Sequence, residues 1–465
     1  MLNWLHRKLD GLLTTEQFAY PELKSMFWTL ALDSFFIFSI GMLSTALVSS
    51  VGEAAIAAVS MVGTINGMVS LMFMSLASGG GIVVARAKGR GDMEDIRRVI
   101  GEVTGLCGLI AIVLSALLIY LAEPLVRLLY PNVEPLLVKY AVEYMRLMAV
   151  SFIPFSIFNA IFNIFRSLGD TKSSLMLTIV INVAHLALSL LFINGLQMGV
   201  AGSGYSYIVA RFIGMVLALV WLMGFHNQYA VRIRDFFHFR RSTTREIVSL
   251  GMPLTVESML IQGGMLLVQI YLARLTTTDL AAHAVASSLL NLYSTTSSSL
   301  NNLSGTVCGQ CYGAGKYQLA RDYALRLISI GRWILLLTSL ILFPLTPLLL
   351  KLYHATTEAS SIIYISLGIG ALSMPLLWCD AYLPAMVLRV AGDATFTAAV
   401  SVGSLALGRC ALGYVLSIVF GLGVPGIWLG MAGEWLFRAV VLRIRLKKSS
   451  WDRLVERRIG IVQDN

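Results

Sequence analysis

The chain has 465 residues, of which 57% are hydrophobic and only 13% are charged, and its formal net charge is +10. Soluble globular proteins carry roughly 25% charged residues, whereas the mean hydropathy here is +0.78. Apolar runs of about 20 residues return along the whole chain, and each is long enough to cross ~30 Å of hydrocarbon. These values exclude an ordinary soluble protein and indicate an all-α integral membrane protein.

Apolar windows, taken in chain order, predict twelve membrane-spanning helices. The predicted spans are 26–50, 55–84, 101–121, 138–165, 173–196, 200–224, 248–273, 279–311, 327–350, 360–387, 396–420 and 425–445. Three consecutive glycines, Gly79, Gly80 and Gly81, allow the long second run to bend. An even number of spans places both ends of the chain on the same side of the membrane.

Lysine and arginine are unevenly divided between the two sides that these spans define. About 26 of the 35 fall in the N-terminus, the even-numbered loops and the C-terminal tail. The opposite side carries Arg127, Lys139, Arg274 and Lys351. The positive-inside rule therefore predicts a cell-membrane protein with both termini in the cytoplasm. It also explains the net positive charge without a nucleic-acid partner.

Residue patterns typical of catalysis or metal binding are scarce. Cys308 and Cys311 form a C-x-x-C motif inside an apolar run, without the βαβ context or second pair that redox or zinc sites need. No His-rich metal set, nucleophile elbow or P-loop stands out in the sequence. We expect a protein that is not an enzyme, carries no cofactor and does not use ATP.

Three short motifs occur twice at a nearly constant spacing. The pairs, shifted by 223 or 224 residues, are RSLGD at 166–170 with RVAGD at 389–393, GVAG at 199–202 with GVPG at 423–426, and GRG at 89–91 with GAG at 313–315. Each repeat contains six predicted spans. Because six is even, both repeats enter the membrane from the same side and are parallel repeats.

The repeat predicts the domain organisation. A six-helix bundle at 1–224 and another at 248–445 are joined by a basic cytoplasmic linker at 225–247, and a cytoplasmic tail follows at 446–465. Two matching bundles around a central cleft suit a transporter that rocks between inward-open and outward-open states.

Further motifs complete a resemblance to a known family. GEAAIAAV at 52–59 follows the first span, VCGQCYGAG at 307–315 ends the eighth, and GMP at 251–253 begins the seventh. With the two R-x-x-G-D turns, the chain resembles the multidrug and toxic compound extrusion (MATE) transporters over nearly its full length. The resemblance implies a V-shaped cavity and export of organic cations driven by a Na⁺ or H⁺ gradient. The family's usual acid in the first helix falls near Ser44 here, and the nearest acid is Asp33.

Acidic residues inside the spans are the main candidates for ion coupling, because a charge at membrane depth costs at least ~2.5 kcal/mol. Glu257 has no basic residue one turn away on its own helix, and Gln262 adds an amide oxygen. Carboxylate and amide oxygens are suitable ligands for Na⁺, and a desolvated carboxyl group can carry a proton. The alternative is that Glu257 forms a structural hydrogen bond to a neighbouring helix. Asp380 is expected to be equally unpaired, and Asp33 is either a coupling residue or an interfacial helix cap.

Amide side chains are candidates for the substrate path. Asn159, Asn163 and Asn182 either line the cavity or hydrogen-bond to neighbouring helices. Asn291 belongs to the eighth span, which is rich in serine and asparagine, and this span is expected to face the cleft.

Basic residues in the spans leave several interpretations open. Glu434 and Arg438 are spaced i, i+4 and are predicted to neutralise each other. Arg211 and Arg409 pair with acids on other helices, bind anions or extend to the membrane interface. His185 occupies the position equivalent to Arg409 in the repeat and is either a packing residue or a proton relay.

The sequence-based hypothesis is a monomeric antiporter in the lipid bilayer that exports amphipathic organic cations or drugs in exchange for Na⁺ or H⁺. The incoming ion is expected to bind Glu257 or Asp380 and to compete with the small-molecule substrate. The alternative is a flippase for lipid-linked oligosaccharides or peptidoglycan precursors. A flippase would need Arg211 and Arg409 to converge in the cleft and bind pyrophosphate.

Overall fold

The structure, a computed structural model, describes residues 10, 13–48, 53–129, 135–196, 198–225, 227–352 and 356–447. Within these ranges every regular element is a helix. The tail beyond residue 447 and the residues before position 13, except residue 10, lie outside the described part, together with the basic residues that they contribute to the charge prediction.

Twelve long helical segments occur over the described ranges. The first six are α1 (Tyr20–Val48), α2 (Glu53–Arg90), α3 (Met93–Leu129), α4 (Pro135–Ser167), α5 (Thr171–Ser189) and α6 (Gly199–Val220). The second six are α7 (Arg241–Leu272), α8 (Thr277–Gly313), α9 (Tyr317–Leu342), α10 (Thr357–Val390), α11 (Ala394–Val419) and α12 (Gly423–Arg445). The predicted all-α fold with twelve helices is confirmed.

Over the described residues, nine of these helices are long and apolar enough to cross a membrane. The other three are α1, α8 and α12. Of these, α8 carries the serine and asparagine residues noted above, and α12 carries Glu434 and Arg438 near its middle. These polar and charged residues set α8 and α12 apart from the more apolar helices.

The turns between helices repeat along with the sequence. Gly169 and Gly392, in the two R-x-x-G-D motifs, have φ angles of +80° and +92°. Gly91 and Gly315, in the repeated GRG and GAG motifs, have φ angles of +79° and +73°. An L-residue with a side chain is strained in this left-handed region. The repeated glycines therefore end α2, α4, α8 and α10 with the same local geometry.

Several helices contain π-helical turns, in which each hydrogen bond spans five residues instead of four. α10 has such a turn at Met374–Trp378, and α11 has two, at Leu405–Leu412 and Val415–Val419. Each π turn changes which side chains face a neighbouring helix. Two more π turns, Leu190–Gly195 and Trp221–Phe225, follow α5 and α6 in the first half of the chain.

Two compact units emerge from the packing. The first unit is Phe35–Ser258, in which α4 packs against α2, α3 and α6. The second unit combines Met1–Ser34 with Met259–Asn465, and in it α8 packs against α9 and α10 while α12 packs against α10 and α11. The division points at Ser34 and Ser258 fall inside α1 and α7 and are one repeat length apart.

Residues before α1 are anchored on α9 within the second unit. The hydroxyl groups of Thr15 and Tyr323 are 2.5 Å apart, and the Tyr323 hydroxyl donates to the carbonyl of Leu13 at 3.1 Å. The ring of Phe18 packs edge-on against Tyr323, with 6.0 Å between centroids. Tyr323 is fully buried, so this anchor is a packed contact as well as a polar one.

The predicted linker is docked onto α3 within the first unit. Its 3₁₀ turn Ile233–Phe237 lies against two glycines of α3. A Cβ atom on Gly101 would lie 2.7 Å from the carbonyl oxygen of Asp235, and one on Gly105 would lie 1.8 Å from that of Phe236. The backbone of the linker therefore approaches α3 more closely than any residue with a side chain permits.

Gly105→Ala is expected to displace the linker, because the added methyl group overlaps the Phe236 carbonyl and overpacking costs about 1–3 kcal/mol or more. Limited trypsin digestion in detergent would detect faster cleavage at the linker arginines. Gly63→Ala is the matched control, since no atom lies within 4 Å of its added methyl group. Equal cleavage rates in the two variants would contradict this prediction.

Candidate functional site

Glu257 is a buried acid on α7, in the part of that helix that belongs to the first unit. Only 5% of its surface is exposed. The neighbouring Ser258 shares a hydrogen bond of 2.7 Å with Ser75 of α2. Two turns earlier, a Cβ atom on Gly79 would lie 2.5 Å from the Cα atom of Gly251. Glu257 is therefore held beside a close contact between two helices.

α7 contains a proline, Pro253, four residues before Glu257. Pro253 has no N–H group, so the carbonyl four residues before it lacks its usual helical donor. Gln262 is half-buried and lies on α7 beyond the division at Ser258. The described residues contain no group of three or more His, Cys, Asp or Glu suited to a metal ion. A Na⁺ ion at Glu257 would therefore need amide, hydroxyl or carbonyl oxygens as its other ligands.

Asp33 is completely buried, with 0% of its surface exposed. It lies inside α1, which begins at Tyr20. Of the two interpretations of Asp33, the helix cap is wrong, because a cap precedes the first turn. The side chain of Ser44, where the family's usual acid falls, is outside the described part of the chain.

Asp380 differs from the prediction, because two arginines from other helices neutralise it. Its Oδ2 atom accepts hydrogen bonds from Nε and Nη2 of Arg332, at 3.0 and 2.5 Å. Its Oδ1 atom is 3.2 Å from Nη1 of Arg443. These arginines lie on α9 and α12, so the spacing of residues along α10 could not predict the two ion pairs. The prediction that Asp380 is unpaired is wrong, and a coupling ion would have to displace an arginine.

Arg409 also has an acidic partner on another helix. Its Nε atom is 2.8 Å from Oε2 of Glu434, whose Oε1 atom is 3.2 Å from Nη2 of Arg438. Arg438 further donates to the hydroxyl of Ser404 and the carbonyl of Ser401, at 3.2 and 3.1 Å. The predicted pairing of Glu434 with Arg438 is confirmed. Of the three interpretations of Arg409, the structure supports pairing with an acid on another helix.

The π turn of α11 brings Arg409 close to α12. A Cβ atom on Gly408 would lie 2.5 Å from the Cα atom of Glu434. The hydroxyl of Tyr271 donates to the carbonyl of Arg409 at 2.9 Å and so satisfies a backbone group within this turn. The glycine and the tyrosine together explain how a guanidinium group is accommodated here.

The equivalent region of the first unit is built differently. Arg211 is buried and donates to the hydroxyl of Ser151 at 2.6 Å. Its guanidinium lies over the rings of Phe155 and Tyr207, at 4.2 and 5.2 Å from their centroids. In the described part of the chain its side chain forms no ion pair. Cation–π contacts with the aromatic rings stabilise its charge instead. His185 packs against the ring of Tyr207, with 4.2 Å between centroids.

Each of the three asparagine amides donates one hydrogen bond within its own helix. Asn159, Asn163 and Asn182 each donate to the backbone carbonyl four residues earlier, at 2.8 or 2.9 Å. One N–H of each amide is therefore used within its own helix, while the second N–H and the amide oxygen remain compatible with either interpretation. Asn291 is exposed on α8.

Comparison with known proteins gives a consistent assignment. The family model described as MatE matches residues 30–191 and 253–432, more than half of the chain. The uncharacterized transporter YisQ of Bacillus subtilis is 22% identical over 440 residues, which are 92% of this chain and 94% of that protein. The probable multidrug resistance protein NorM of Thermotoga maritima is 22% identical over 429 residues, 89% of each chain.

Solved structures share the fold. A crystal structure of MATE in complex with MaL6 aligns with a TM-score of 0.83 at 17% identity and covers 93% of this chain and 97% of that chain. At this identity the likeness is evidence for the fold alone. Because the family match falls in both halves and the fold agrees over nearly the whole length, the chain belongs to the multidrug and toxic compound extrusion (MATE) family of multi-pass membrane transporters.

Proposed function

We propose that the protein is a secondary antiporter that exports amphipathic organic cations or drugs in exchange for Na⁺ or H⁺. The observation that carries the proposal is Glu257, an acid with 5% of its surface exposed inside a membrane-spanning helix. An acid at this depth is costly and marks an ion or substrate path by default. The relative from Thermotoga maritima, named a probable multidrug resistance protein, supports the substrate class.

The exchange follows from competition for one carboxylate. A coupling ion that binds Glu257 cancels its charge, and an organic cation then has no anionic partner there. An ion shifts the balance between two conformations only by its difference in affinity for them. Binding of the ion in one conformation and of the organic cation in the other therefore moves the two in opposite directions.

Asp33 is a second candidate for the coupling carboxylate. It is fully buried and belongs to the second unit, whereas Glu257 belongs to the first. Asp380 is a weaker candidate, because Arg332 and Arg443 already balance its charge. We rank Glu257 first, Asp33 second and Asp380 third.

The alternative function, a flippase for lipid-linked oligosaccharides or peptidoglycan precursors, requires basic side chains free to bind pyrophosphate. Arg409 is paired with Glu434, so its charge is already compensated. Arg211 remains without an ion pair among the described residues, but its guanidinium is enclosed by aromatic rings. These contacts favour the cation exporter.

We further propose that the transporter works as a monomer in the cell membrane with both termini in the cytoplasm. The support for this orientation is the distribution of lysine and arginine in the sequence. Tagging either end and testing protease access in sealed cells would check it, because a cytoplasmic tag stays protected.

Transport in proteoliposomes tests the proposed function. Purified protein is reconstituted with a fluorescent organic cation, and Na⁺ and proton gradients are imposed separately. We expect one gradient to drive cation movement in the opposite direction and the other to have little effect. Vesicles without protein are the control. Movement that neither gradient accelerates would contradict the antiporter proposal.

A further inference from the structure

A basic cavity lies where the linker crosses the start of α3, within the first unit. Its volume is about 360 Å³, and we call it the linker cavity. The residues that line it are Arg97, Arg98, Glu102, Arg234, Asp235, His238, Phe239 and Arg240. Four arginines therefore face two carboxylates.

One of the two carboxylates, Asp235, already has partners. It lies 3.5 Å from Nε of Arg97 and accepts the backbone N–H of Arg232 at 2.8 Å. Arg98 is paired with Glu94, which lies outside the cavity. Two of the four arginines are thus neutralised.

The other carboxylate, Glu102, is engaged by uncharged donors. Its Oε1 atom accepts the backbone N–H of Arg240 at 3.0 Å and the hydroxyl of Thr244 at 2.5 Å. The guanidinium groups of Arg234 and Arg240 form no ion pair among the residues that the structure describes, and both side chains are exposed. They supply the excess positive charge of the cavity.

The cavity is fixed in shape. The backbone of Asp235 and Phe236 rests directly on Gly101 and Gly105, and the imidazole Nδ1 of His238 is 2.7 Å from the carbonyl of Arg234. A ligand that enters the linker cavity meets a preorganised wall and does not need to order a loose segment.

Large apolar side chains beside the arginines place the linker at the membrane surface. Ile233, Phe237 and Phe239 are 63%, 74% and 44% exposed. The predicted apolar run of α3 begins at residue 101, level with the glycines on which the linker rests. Aromatic and aliphatic groups next to arginine are typical of a segment that lies at the boundary between headgroups and acyl chains.

We propose that the linker cavity binds the headgroup of an anionic phospholipid. Arg234 and Arg240 hold the phosphate group, since guanidinium donors match phosphate oxygens. Ile233 and Phe237 contact the acyl chains. A soluble phosphate would need the arginines alone, so the exposed apolar side chains favour a lipid. The site lies in the linker and does not depend on the proposed transport function.

Lipid binding to the purified, delipidated protein tests this proposal. Affinities for fluorescent phosphatidylglycerol and phosphatidylcholine are measured in neutral detergent. The double variant Arg234→Gln/Arg240→Gln is expected to bind phosphatidylglycerol about 25-fold more weakly, from about 5-fold for each arginine, with phosphatidylcholine binding unchanged. The matched control is Arg127→Gln/Arg274→Gln, which removes two exposed arginines elsewhere and should leave both affinities unchanged.

Two further measurements separate lipid from soluble anion. Ile233→Ser/Phe237→Ser should also weaken phosphatidylglycerol binding, and millimolar inorganic phosphate should not displace the lipid. Equal phosphatidylglycerol affinities in the arginine variant and its control would overturn the proposal. The proposal would also be overturned if inorganic phosphate displaced the lipid and the Ile233→Ser/Phe237→Ser variant bound phosphatidylglycerol with unchanged affinity. That result would indicate a site for a soluble anion. Thermal unfolding of each variant confirms that the fold is intact.

Discussion

Replacing Glu257 with Gln is expected to abolish gradient-driven export while the protein remains folded. Glutamine keeps the size of the side chain and a hydrogen-bonding oxygen, but it carries no negative charge to bind the coupling ion. A contact between a cation and a buried carboxylate is worth several kcal/mol, and each 1.4 kcal/mol is a factor of ten. We therefore expect the initial rate of gradient-driven export to fall about 100-fold in proteoliposomes.

The matched control for this experiment is Glu123→Gln, which removes an exposed acid paired with Arg127. Its export rate should equal that of the unmodified protein. The amount and the thermal stability of both variants are measured in detergent, so that lost transport can be told from lost protein. Undiminished export by Glu257→Gln would remove this residue from the mechanism and direct attention to Asp33.

Replacing Glu434 with Gln is expected to cause the largest loss of stability. The side chains of Glu434 and Arg438 are each only 3% exposed, and that of Arg409 is 16% exposed. Without the carboxylate, the buried guanidinium of Arg438 and the half-buried guanidinium of Arg409 repel each other without the charge that balanced them. Removal of one partner of a buried ion pair costs about 3–5 kcal/mol. Chemical denaturation in micelles, followed by tryptophan fluorescence, measures the change in the free energy of unfolding.

The exposed ion pair between Glu123 and Arg127 is the control against which the loss of stability is compared. Breaking that surface pair with Glu123→Gln should change the free energy of unfolding by about 0–1 kcal/mol. The triple variant Arg409→Met/Glu434→Leu/Arg438→Met, which removes all three charges, should recover most of the stability lost by Glu434→Gln. A single variant as stable as the unmodified protein would show that water or another group compensates the arginines.

The number and positions of the helices were predictable because membrane insertion imposes strong constraints. Long apolar runs, the side preference of lysine and arginine, and the repeated glycines at 169 and 392 all point to the same arrangement. The left-handed φ angles of these glycines are the physical reason why the motif is repeated. The linker was predicted as a basic cytoplasmic segment, but its docking was not, because no periodicity in the sequence indicates that the carbonyl of Phe236 packs against Gly105.

The ion pairs were predictable only along a single helix. Glu434 and Arg438 are one turn apart, so their pairing follows from helix geometry. The partners of Asp380 lie on other helices, and the i, i+4 spacing rule predicts only pairs within one helix. Arg332, inside the predicted span 327–350, was the missed signal, since an arginine among apolar residues needs an acid. Arg443 lies near the end of α12, where an arginine fits the cytoplasmic side of the membrane without a partner, so its pairing with Asp380 was not predicted.

The anchor of Leu13, Thr15 and Phe18 on Tyr323 has a consequence for synthesis. These residues leave the ribosome about 300 positions before their partner, and contacts so distant in sequence form late. The nascent chain must therefore carry an undocked amino-terminal segment while most of the other helices insert. Until α9 emerges, the apolar surface of Leu13 and Phe18 has no place to be buried, which makes the half-made protein a natural client for chaperones.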